Sequence, residues 1–357
     1  MSRVFINNLK NSFYALTAAL LFGLSTPLSK IFSRELNVFT LAGLLYLGSG
    51  IGLFLVSLGQ RTHPIKELRK LLLGKKIKML CSILTGGILA PLALVQGIKT
   101  GTSFEVSALL NFEAVASTLI AWFIFKEHVD RHVWFGKMII IVGALVLIFQ
   151  PESHFNLTVS SIWILAACVL WGIDNNLTRD VDELTPSTLA GTKGFVAGIT
   201  NLSLGIYITG IPENNFATIM IMIVGFFSYG LSLVLFIKSL RLIGTSRTAS
   251  YFAAGPFFGV FISVIFLKEV PLTSHWVAAF IILLGTFVLF KEKHQHEHTH
   301  ELLTHSHKHL HDEHHQHHHP DLDISSDSEH EHEHTHEVMT HTHAHYPDIH
   351  HRHSHSN

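Results

Sequence analysis

The sequence predicts an all-α membrane protein with ten transmembrane helices in two inverted five-helix repeats, followed by a disordered tail. Charged residues are only 14% of the 357 residues and apolar residues 48%, whereas a soluble domain carries about 25% charged residues. Apolar runs recur through residues 1–293, and short motifs of the first half return in the second. This composition argues against a soluble enzyme or a nucleic-acid-binding protein. A disulfide framework is also excluded, since Cys81 and Cys168 both lie in apolar runs.

Each apolar run is close to the length of about 20 residues that an α-helix needs to cross a hydrocarbon core about 30 Å thick. Helices satisfy their own backbone hydrogen bonds in lipid, so they are the expected spanning form. The predicted spans are residues 13–33, 36–58, 77–97, 103–125, 132–150, 158–178, 185–210, 216–241, 244–267 and 274–291. We expect the first run to be retained as a span, because no small-residue cleavage site follows it.

The distribution of Lys and Arg predicts the orientation of the spans. With the N-terminus in the cytoplasm, the inward segments hold 17 of these residues and the outward segments hold 4. Ten spans then return the chain to the cytoplasm, so we expect both termini on that side of an inner (plasma) membrane. The predicted segments are a cytoplasmic N-terminus over residues 1–12, repeats over 13–150 and 151–293, and a cytoplasmic tail over 294–357.

Three short motifs of the first half recur in the same order in the second half. FGLSTPLSK at Phe22–Lys30 matches WGIDNNLTR at Trp171–Arg179, IFKE at Ile124–Glu127 matches FLKE at Phe266–Glu269, and GTS at Gly101–Ser103 returns at Gly244–Ser246. A similarity that returns after five spans places the two halves in opposite orientations in the membrane. This is the inverted-repeat plan of secondary transporters.

Over residues 10–293 the chain resembles the EamA-type members of the drug/metabolite transporter superfamily. The resemblance rests on the aromatic-Gly pairs Phe22-Gly23 and Trp171-Gly172, the acidic tripeptides ending at Glu127 and Glu269, and the glycines Gly143 and Gly285 in the last helix of each repeat. It implies two five-helix EamA repeats and transport of a small solute, which could include export. The family pattern has a proline before the acidic tripeptide, which is Pro256 in the second repeat; Glu113 or Ala114 replaces it in the first.

Glu113 is the clearest candidate for a functional residue within the membrane. It lies ten residues into the fourth predicted span, which is about 15 Å along a helix and close to the midplane. A carboxyl group at that depth is easier to protonate than one in water, so Glu113 is a candidate proton-coupling site or cation ligand. The alternative is a structural carboxyl group that pairs or hydrogen-bonds between helices. Asn111 lies two residues earlier and well around the helix.

Asp174, Asn175 and Asn176 form a second polar cluster, near the inner end of the sixth span. Intramembrane carboxylates usually face a cavity, so these residues are candidates for substrate binding. The alternative is an interfacial cap in which Asp174 pairs with Arg179 or Arg241.

The counterparts of that cluster in the first repeat include Thr26 and Pro27. Pro27 removes a helical hydrogen bond, and interruptions at matching places in both repeats indicate a binding site. Trp171, Tyr251 and Pro256 complete the predicted site, although aromatic residues in membrane helices more often serve packing. For Glu127 and Glu269, which follow their helices directly, we favour a structural role.

The tail is dominated by histidine. Residues 294–357 hold 24 of the 29 His and carry 12 acidic residues against 2 basic ones, whereas residues 1–293 carry 23 basic residues against 14 acidic ones. Such a composition cannot bury a core, so the tail is predicted to be disordered. Imidazole favours Zn²⁺, Ni²⁺ and Co²⁺, and the predicted metal ligands are His294, His296, His298, His300, His305, His307, His309, His311, His314, His315, His317, His318, His319, His330, His332, His334, His336, His341, His343 and His345. The alternatives are a pH-responsive charged brush or a neutral appendage.

These features predict a non-enzymatic, gradient-driven transporter, since the sequence has no G-x-x-x-x-G-K-S/T motif for ATP. The expected partners are a small-molecule solute, the lipid bilayer and divalent metal ions bound by the tail, with no nucleic acid and no required cofactor. Two alternatives remain open: a transporter of transition-metal ions, and a non-transporting, metal-responsive membrane protein.

Overall fold

The computed structural model describes two compact units, residues 1–292 and 293–357. In the first unit the described residues are 2–59, 64–124, 129, 131–148, 158–179, 181, 183–243, 248 and 251–290. In the second unit they are 295–300, 303–309, 330–336 and 339–344.

The first repeat is helical wherever the structure describes it. Its elements are α1 (Ser2–Gly23), α2 (Ser25–Phe32), α3 (Val38–Gly59), α4 (Pro64–Lys70), α5 (Leu73–Ser82), the π-helix π1 (Ile83–Leu89), α6 (Ala90–Thr100), α7 (Ser103–Leu109), α8 (Phe112–Phe123) and α9 (Arg131–Ile148). The first helix begins at Ser2, so most of the segment predicted as an N-terminal extension is continuous with the first helix.

The second repeat is also helical throughout its described residues. Its elements are α10 (Val159–Arg179), α11 (Pro186–Thr209), α12 (Asn215–Gly225), the π-helix π2 (Phe226–Leu231), α13 (Ser232–Ile243), α14 (Gly255–Phe266) and α15 (Thr273–Phe290). The helices follow the apolar runs closely. The ninth run, however, is described as a long helix only from Gly255 onward.

Six helical stretches in the described part of the chain are long and apolar enough to cross a membrane. They are Phe13–Phe32, Val38–Ser57, Leu73–Thr100, Ser103–Phe123, Arg131–Ile148 and Asn215–Ser239, with shorter apolar helices at Gly255–Phe266 and Thr273–Leu289. Helices α10 and α11 lie outside this set, and they carry charged residues, Asp174 and Lys193, within their length. The protein is therefore a multi-pass membrane protein, while ten crossings in an inverted repeat stay a prediction.

The buried apolar residues form two clusters. One includes Phe104, Leu109 and Ile164, and the other includes Leu41 and Ile221. Tyr229 in π2 packs against both clusters. It therefore lies where the two halves of the core meet.

Glycine allows α3 and α11 to pack closely. A Cβ atom on Gly198 would lie 2.4 Å from the backbone nitrogen of Leu47, and one on Gly194 would lie 2.7 Å from the nitrogen of Gly50. Real Cβ atoms do not approach other atoms so closely, so the backbones touch at a distance that only small residues permit.

Several helices are interrupted near their middle. Leu24 separates α1 from α2, and Leu110 and Asn111 separate α7 from α8. A turn at Ala253 and Ala254 precedes α14, and it corresponds to the interruption at Asn111 at the 142-residue offset of the repeats. The π-helices π1 and π2 interrupt two further helices, also at matching positions of the two repeats.

The described residues of the second unit form four short strands, while disorder of the tail stays a prediction. Strands β1 (Gln295–His300) and β4 (Met339–Ala344) form one antiparallel pair, and β2 (Leu303–His309) and β3 (His330–His336) form another. Histidine alternates with Thr, Ser and Glu in these segments. Because a strand has a period of two residues, this alternation suits extended pairing even without an apolar core.

Candidate functional site

Aromatic residues from both repeats meet at the centre of the helical unit. The ring centroid of Phe22 lies 6.4 Å from that of Trp171, 6.1 Å from that of Tyr229 and 5.3 Å from that of Phe252. Tyr46 extends this cluster, with its centroid 5.4 Å from that of Tyr229. The cluster joins α1, α3, α10 and π2 to the turn before α14, so several of the interrupted helices converge on it.

The π-helix π1 orients two of these rings. Its Gly86 carbonyl accepts a hydrogen bond of 2.8 Å from the Tyr46 hydroxyl and another of 3.1 Å from the Trp171 indole nitrogen. A π-helix shifts the regular backbone hydrogen bonds, and such segments recur at functional sites. One backbone carbonyl of the first repeat therefore fixes an aromatic ring from each repeat.

Asp174 forms a buried ion pair with Lys193. The Lys193 Nζ lies 2.6 Å and 2.8 Å from the two carboxylate oxygens, and the two side chains are only 9% and 8% exposed. Ser82 and Thr178 donate further hydrogen bonds to the same carboxylate, at 2.5 Å and 3.0 Å. Among the described side chains, the ionic partner of Asp174 is thus Lys193 in the next helix. The side chains of Arg179 and Arg241, the partners in the sequence-based alternative, lie outside the described part of the structure.

The ion pair lies directly against π1. A Cβ atom on Gly86 would lie 2.0 Å from the Oδ2 atom of Asp174. Any larger residue at position 86 would therefore collide with the carboxylate. Gly86 therefore contacts the Asp174 carboxylate through its α-carbon side and accepts hydrogen bonds from Tyr46 and Trp171 through its carbonyl.

Glu113 has a different environment. It lies at the start of α8, where its Oε1 accepts a hydrogen bond of 2.8 Å from the Asn175 amide, and that amide also lies 3.3 Å from the Ser117 hydroxyl. Among the residues that the structure describes, no cation forms an ion pair with Glu113. Glu113 is half-buried and Asn175 is exposed. The interior thus contains one carboxylate that a lysine neutralises and one that a neutral amide holds.

Other predicted residues are engaged with the backbone. The Asn111 amide donates to the Ala108 carbonyl at 3.2 Å. The Asn176 amide donates to the carbonyls of Gly172 and Ser117 at 2.8 Å and 3.1 Å. These two amides stabilise the helices at the site and do not join the Glu113–Asn175 pair.

The remaining predicted residues lie at the helix interruptions. Thr26 and Pro27 are buried in α2, Pro256 is buried at the start of α14, and Tyr251 is half-buried just before that turn. A role for any of them in binding a substrate stays a prediction.

The sequence analysis missed Tyr46, Gly86, Lys193 and Tyr229. Lys193 carried a signal, because it is a cation inside an apolar run, but it was counted only as a positive charge at the inner side. Gly86 belongs to a Gly-Gly pair within the third span. The two tyrosines had no local signal, because only the folded chain brings them together.

Glu269 has the structural role that the sequence suggested. Its carboxylate accepts hydrogen bonds of 2.9 Å from each of the backbone nitrogens of Ser103 and Phe104. It therefore satisfies donors at the start of α7, across the boundary between the repeats. Glu127 lies outside the described residues.

Within the described residues, no group of three or more His, Cys, Asp or Glu could hold a metal ion. The structure does not describe the side chains of the tail, so the predicted ligands there fall outside that search. Twelve of the tail histidines lie outside the described residues altogether: His294, His311, His314, His315, His317, His318, His319, His345, His350, His351, His353 and His355.

The pattern of the EamA-like transporter family matches residues 9–149 and again residues 158–291. An uncharacterized transporter of Methanothermobacter thermautotrophicus is 27% identical over 296 residues, which cover 77% of this chain and 84% of that protein. A probable 4-amino-4-deoxy-L-arabinose-phosphoundecaprenol flippase subunit ArnE of Pseudomonas fluorescens is 40% identical over 87 residues, 24% of this chain and 73% of that protein.

A solved crystal structure shares the fold with a TM-score of 0.59 at 14% sequence identity. The superposition covers 78% of this chain and 96% of the other chain. At this identity the likeness concerns the fold alone. The family pattern therefore matches the chain twice, once in each half.

Proposed function

This chain belongs to the EamA-like transporter family, and we propose that it is a secondary transporter that moves a small solute past Glu113 and the central cluster of aromatic rings. The proposal takes the class of protein from the family and the place of transport from the geometry. The ArnE relative matches only 24% of the chain, so it does not identify the solute.

The observation that carries the proposal is the environment of Glu113. A carboxylate in the middle of a membrane span is costly unless it is paired or faces water. Glu113 has a neutral amide as its partner, and that amide belongs to the exposed Asn175. A path that water and solute can reach explains this arrangement, and the carboxylate would there bind a proton or a cation during transport.

The transport energy would come from an ion or solute gradient. The chain has no G-x-x-x-x-G-K-S/T motif, and the Glu113 carboxyl group can change charge within the membrane. In the proposed topology both termini are cytoplasmic, in an inner (plasma) membrane.

We propose further that the tail binds transition-metal ions such as Zn²⁺, Ni²⁺ or Co²⁺. It would buffer these ions or regulate the transporter in response to them. The antiparallel registers place His opposite His at His296 and His343, His298 and His341, His305 and His334, His307 and His332, and His309 and His330. Opposed residues in such ladders have Cβ atoms about 4.5–5.5 Å apart. This spacing suits two imidazoles on one ion, at about 2.0–2.1 Å for each Zn–N bond.

The test of transport begins with a screen of solutes that cells export or accumulate when they overexpress the protein. The best candidate is then measured as flux into proteoliposomes that contain the purified chain. Saturable flux above that of protein-free liposomes supports a transporter. No flux of any screened solute, with Zn²⁺ or Ni²⁺ binding intact, would favour a non-transporting, metal-responsive protein. Flux of Ni²⁺, Co²⁺ or Zn²⁺ that survives removal of the tail would make the metal itself the substrate.

A further inference from the structure

A strongly basic segment leads into the third predicted span. Residues 64–82 hold six basic residues and one acidic residue, Glu67. The segment forms α4 and α5, and α5 opens the apolar stretch Leu73–Thr100, which is long enough to cross a membrane. The basic residues therefore lie close to the level at which this membrane helix meets the lipid headgroups.

One face of α4 attaches the segment to the rest of the protein. The Glu67 carboxylate accepts hydrogen bonds from the backbone nitrogen of Thr185 at 2.9 Å and from its hydroxyl at 3.0 Å, just before α11. Leu68 packs against the buried cluster that includes Leu41, and Leu71, directly after α4, is itself a buried member of that cluster. The one acidic side chain of the segment is therefore turned toward the protein.

Four basic residues on the other side of the segment are exposed. They are Lys66, Arg69 and Lys70 of α4 and Lys76 of α5, and we call them the basic patch. Lys66 and Lys70 are four residues apart and therefore lie on the same side of α4. The Lys76 Nζ lies 3.5 Å from the Arg69 carbonyl oxygen, so its ammonium group reaches back across the turn between the two helices. The patch thus gathers positive charge from both helices at one place.

An exposed apolar stripe continues from the basic patch along α5. Leu72 and Leu73, at the start of this helix, are 70% and 74% exposed, and Ile77 and Leu80 are exposed one and two turns later. The spacing of four and three residues from Leu73 to Ile77 and Leu80 places these side chains on one face of the helix. Within the membrane, lipid acyl chains would cover such a face. The patch and the stripe therefore match the two parts of a phospholipid, a charged headgroup and its acyl chains.

We propose that the basic patch and this stripe form a binding site for an anionic phospholipid, with phosphatidylglycerol as the lipid to test. Lys and Arg form charge-assisted hydrogen bonds with phosphate oxygens, and their long side chains can follow an apolar surface to reach a headgroup. A zwitterionic lipid such as phosphatidylcholine also presents a choline cation, which the basic patch repels. The patch therefore selects a headgroup with net negative charge.

The test of this lipid site needs no solute, so its result is independent of the transport proposed above. The full-length protein is purified in a neutral detergent at about pH 8, where the tail histidines are uncharged and do not attract the lipid. Dioleoyl-phosphatidylglycerol and dioleoyl-phosphatidylcholine are titrated separately, with bound lipid counted by native mass spectrometry and the melting temperature followed in parallel. We expect saturable binding of phosphatidylglycerol with about tenfold or greater preference over phosphatidylcholine, and a higher melting temperature.

A triple variant and a matched control locate the site. The patch variant combines Arg69→Gln, Lys70→Gln and Lys76→Gln. We expect its affinity for phosphatidylglycerol to fall about tenfold or more, because each basic residue beside an anionic surface contributes roughly fivefold. The control combines Arg34→Gln, Arg131→Gln and Lys268→Gln, which removes the same charge from three other exposed positions. It should bind phosphatidylglycerol like wild type.

Equal affinity of the wild type for the two lipids would overturn the proposal, because the patch would then not select the headgroup. An unchanged affinity for phosphatidylglycerol in the patch variant would overturn it as well, and so would an equal loss in the control, since only net charge would then matter. Inorganic phosphate is tested in place of the lipid. If it raises the melting temperature as much as phosphatidylglycerol does, the patch binds a soluble anion and the lipid site is wrong.

Discussion

At the scale of single residues, the carboxylates of Asp174 and Glu113 have opposite kinds of partner, a charged lysine and a neutral amide. Asp174 is paired with Lys193 and accepts hydrogen bonds from two neighbouring hydroxyls, those of Ser82 and Thr178, which is the arrangement of a structural ion pair. Glu113 accepts a hydrogen bond from the amide of Asn175, and the response of its charge to a proton or a cation stays a prediction. The sequence indicated Glu113 by its depth in the fourth span and Asp174 by the polar cluster that it forms with Asn175 and Asn176. It could not distinguish them, because Lys193 and Asn175 become their partners only after the helices pack.

The ion pair leads to a prediction about stability. Lys193→Met leaves the Asp174 carboxylate buried without a counter-charge, and breaking such a pair costs about 3–5 kcal/mol. The double variant Asp174→Asn with Lys193→Met should recover much of this loss, because no unpaired charge remains. The measurement is thermal unfolding in detergent.

Glu183→Gln is the matched control for that prediction. It breaks the Lys75–Glu183 pair, whose side chains are 28% and 46% exposed, and exposed pairs contribute only about 0–1 kcal/mol. A Lys193→Met variant no less stable than Glu183→Gln would show that the buried pair does not stabilise the fold.

At the scale of elements, the apolar runs predicted the helices well and the interruptions poorly. Runs of about 20 apolar residues can hardly be anything but helices in this composition. A π-helix such as Ile83–Leu89 is set by tertiary contacts, here the packing of Asp174 and Trp171 on Gly86. Pro27 did indicate one interruption in advance. Four short segments of the tail pair as strands, and disorder of the tail stays a prediction.

Close packing of α3 and α11 gives a second prediction. Gly198→Leu places a side chain where a Cβ atom would already lie 2.4 Å from the Leu47 backbone. Overpacking of this kind destabilises by about 1–3 kcal/mol or more, so the variant should melt earlier or fail to assemble.

Gly191→Ala in the same helix serves as the control for Gly198→Leu. Its added Cβ atom would lie 3.5 Å from the Leu53 side chain, an ordinary contact. Alanine also favours a helix by up to about 1 kcal/mol over glycine, so this variant should be at least as stable as wild type. If Gly198→Leu unfolds at the same temperature as Gly191→Ala, the two helices do not pack as described.

At the scale of the whole molecule, the helical unit and the tail are separate compact units. Truncation after Lys293 should leave the helical unit folded, because its helices bury two apolar clusters made of their own residues. Zn²⁺ and Ni²⁺ binding, measured by calorimetry, should fall to a small fraction of the full-length value. Undiminished metal binding in the truncated protein would place the metal site among the helices.

The same tail binding should weaken as the pH falls. Imidazole binds metal in its neutral form, and its unperturbed pKa is about 6.5. Protonation therefore competes with the metal below that pH, and the number of ions bound at pH 5 should be well below the number at pH 7.5. Calorimetry at the two pH values checks this, and equal stoichiometry would indicate that carboxylates, not imidazoles, hold the ions.

Topology is also a prediction at this scale. The 17 basic residues of the inward segments against 4 of the outward segments place both termini in the cytoplasm. A reporter that is active only in the cytoplasm should therefore be active when it is fused after Lys293. Activity there of a reporter that works only outside the cytoplasm would require an odd number of crossings.

The most direct test of the central claim is flux in proteoliposomes for wild type, Glu113→Gln and the exposed-loop control Glu213→Gln, with the solute that the screen identifies. Glutamine keeps the size and the hydrogen bond of Glu113 but cannot ionise. We predict that Glu113→Gln folds and melts like wild type but loses most of its flux and its pH dependence, while Glu213→Gln retains both. Wild-type flux with wild-type pH dependence in Glu113→Gln would contradict the account.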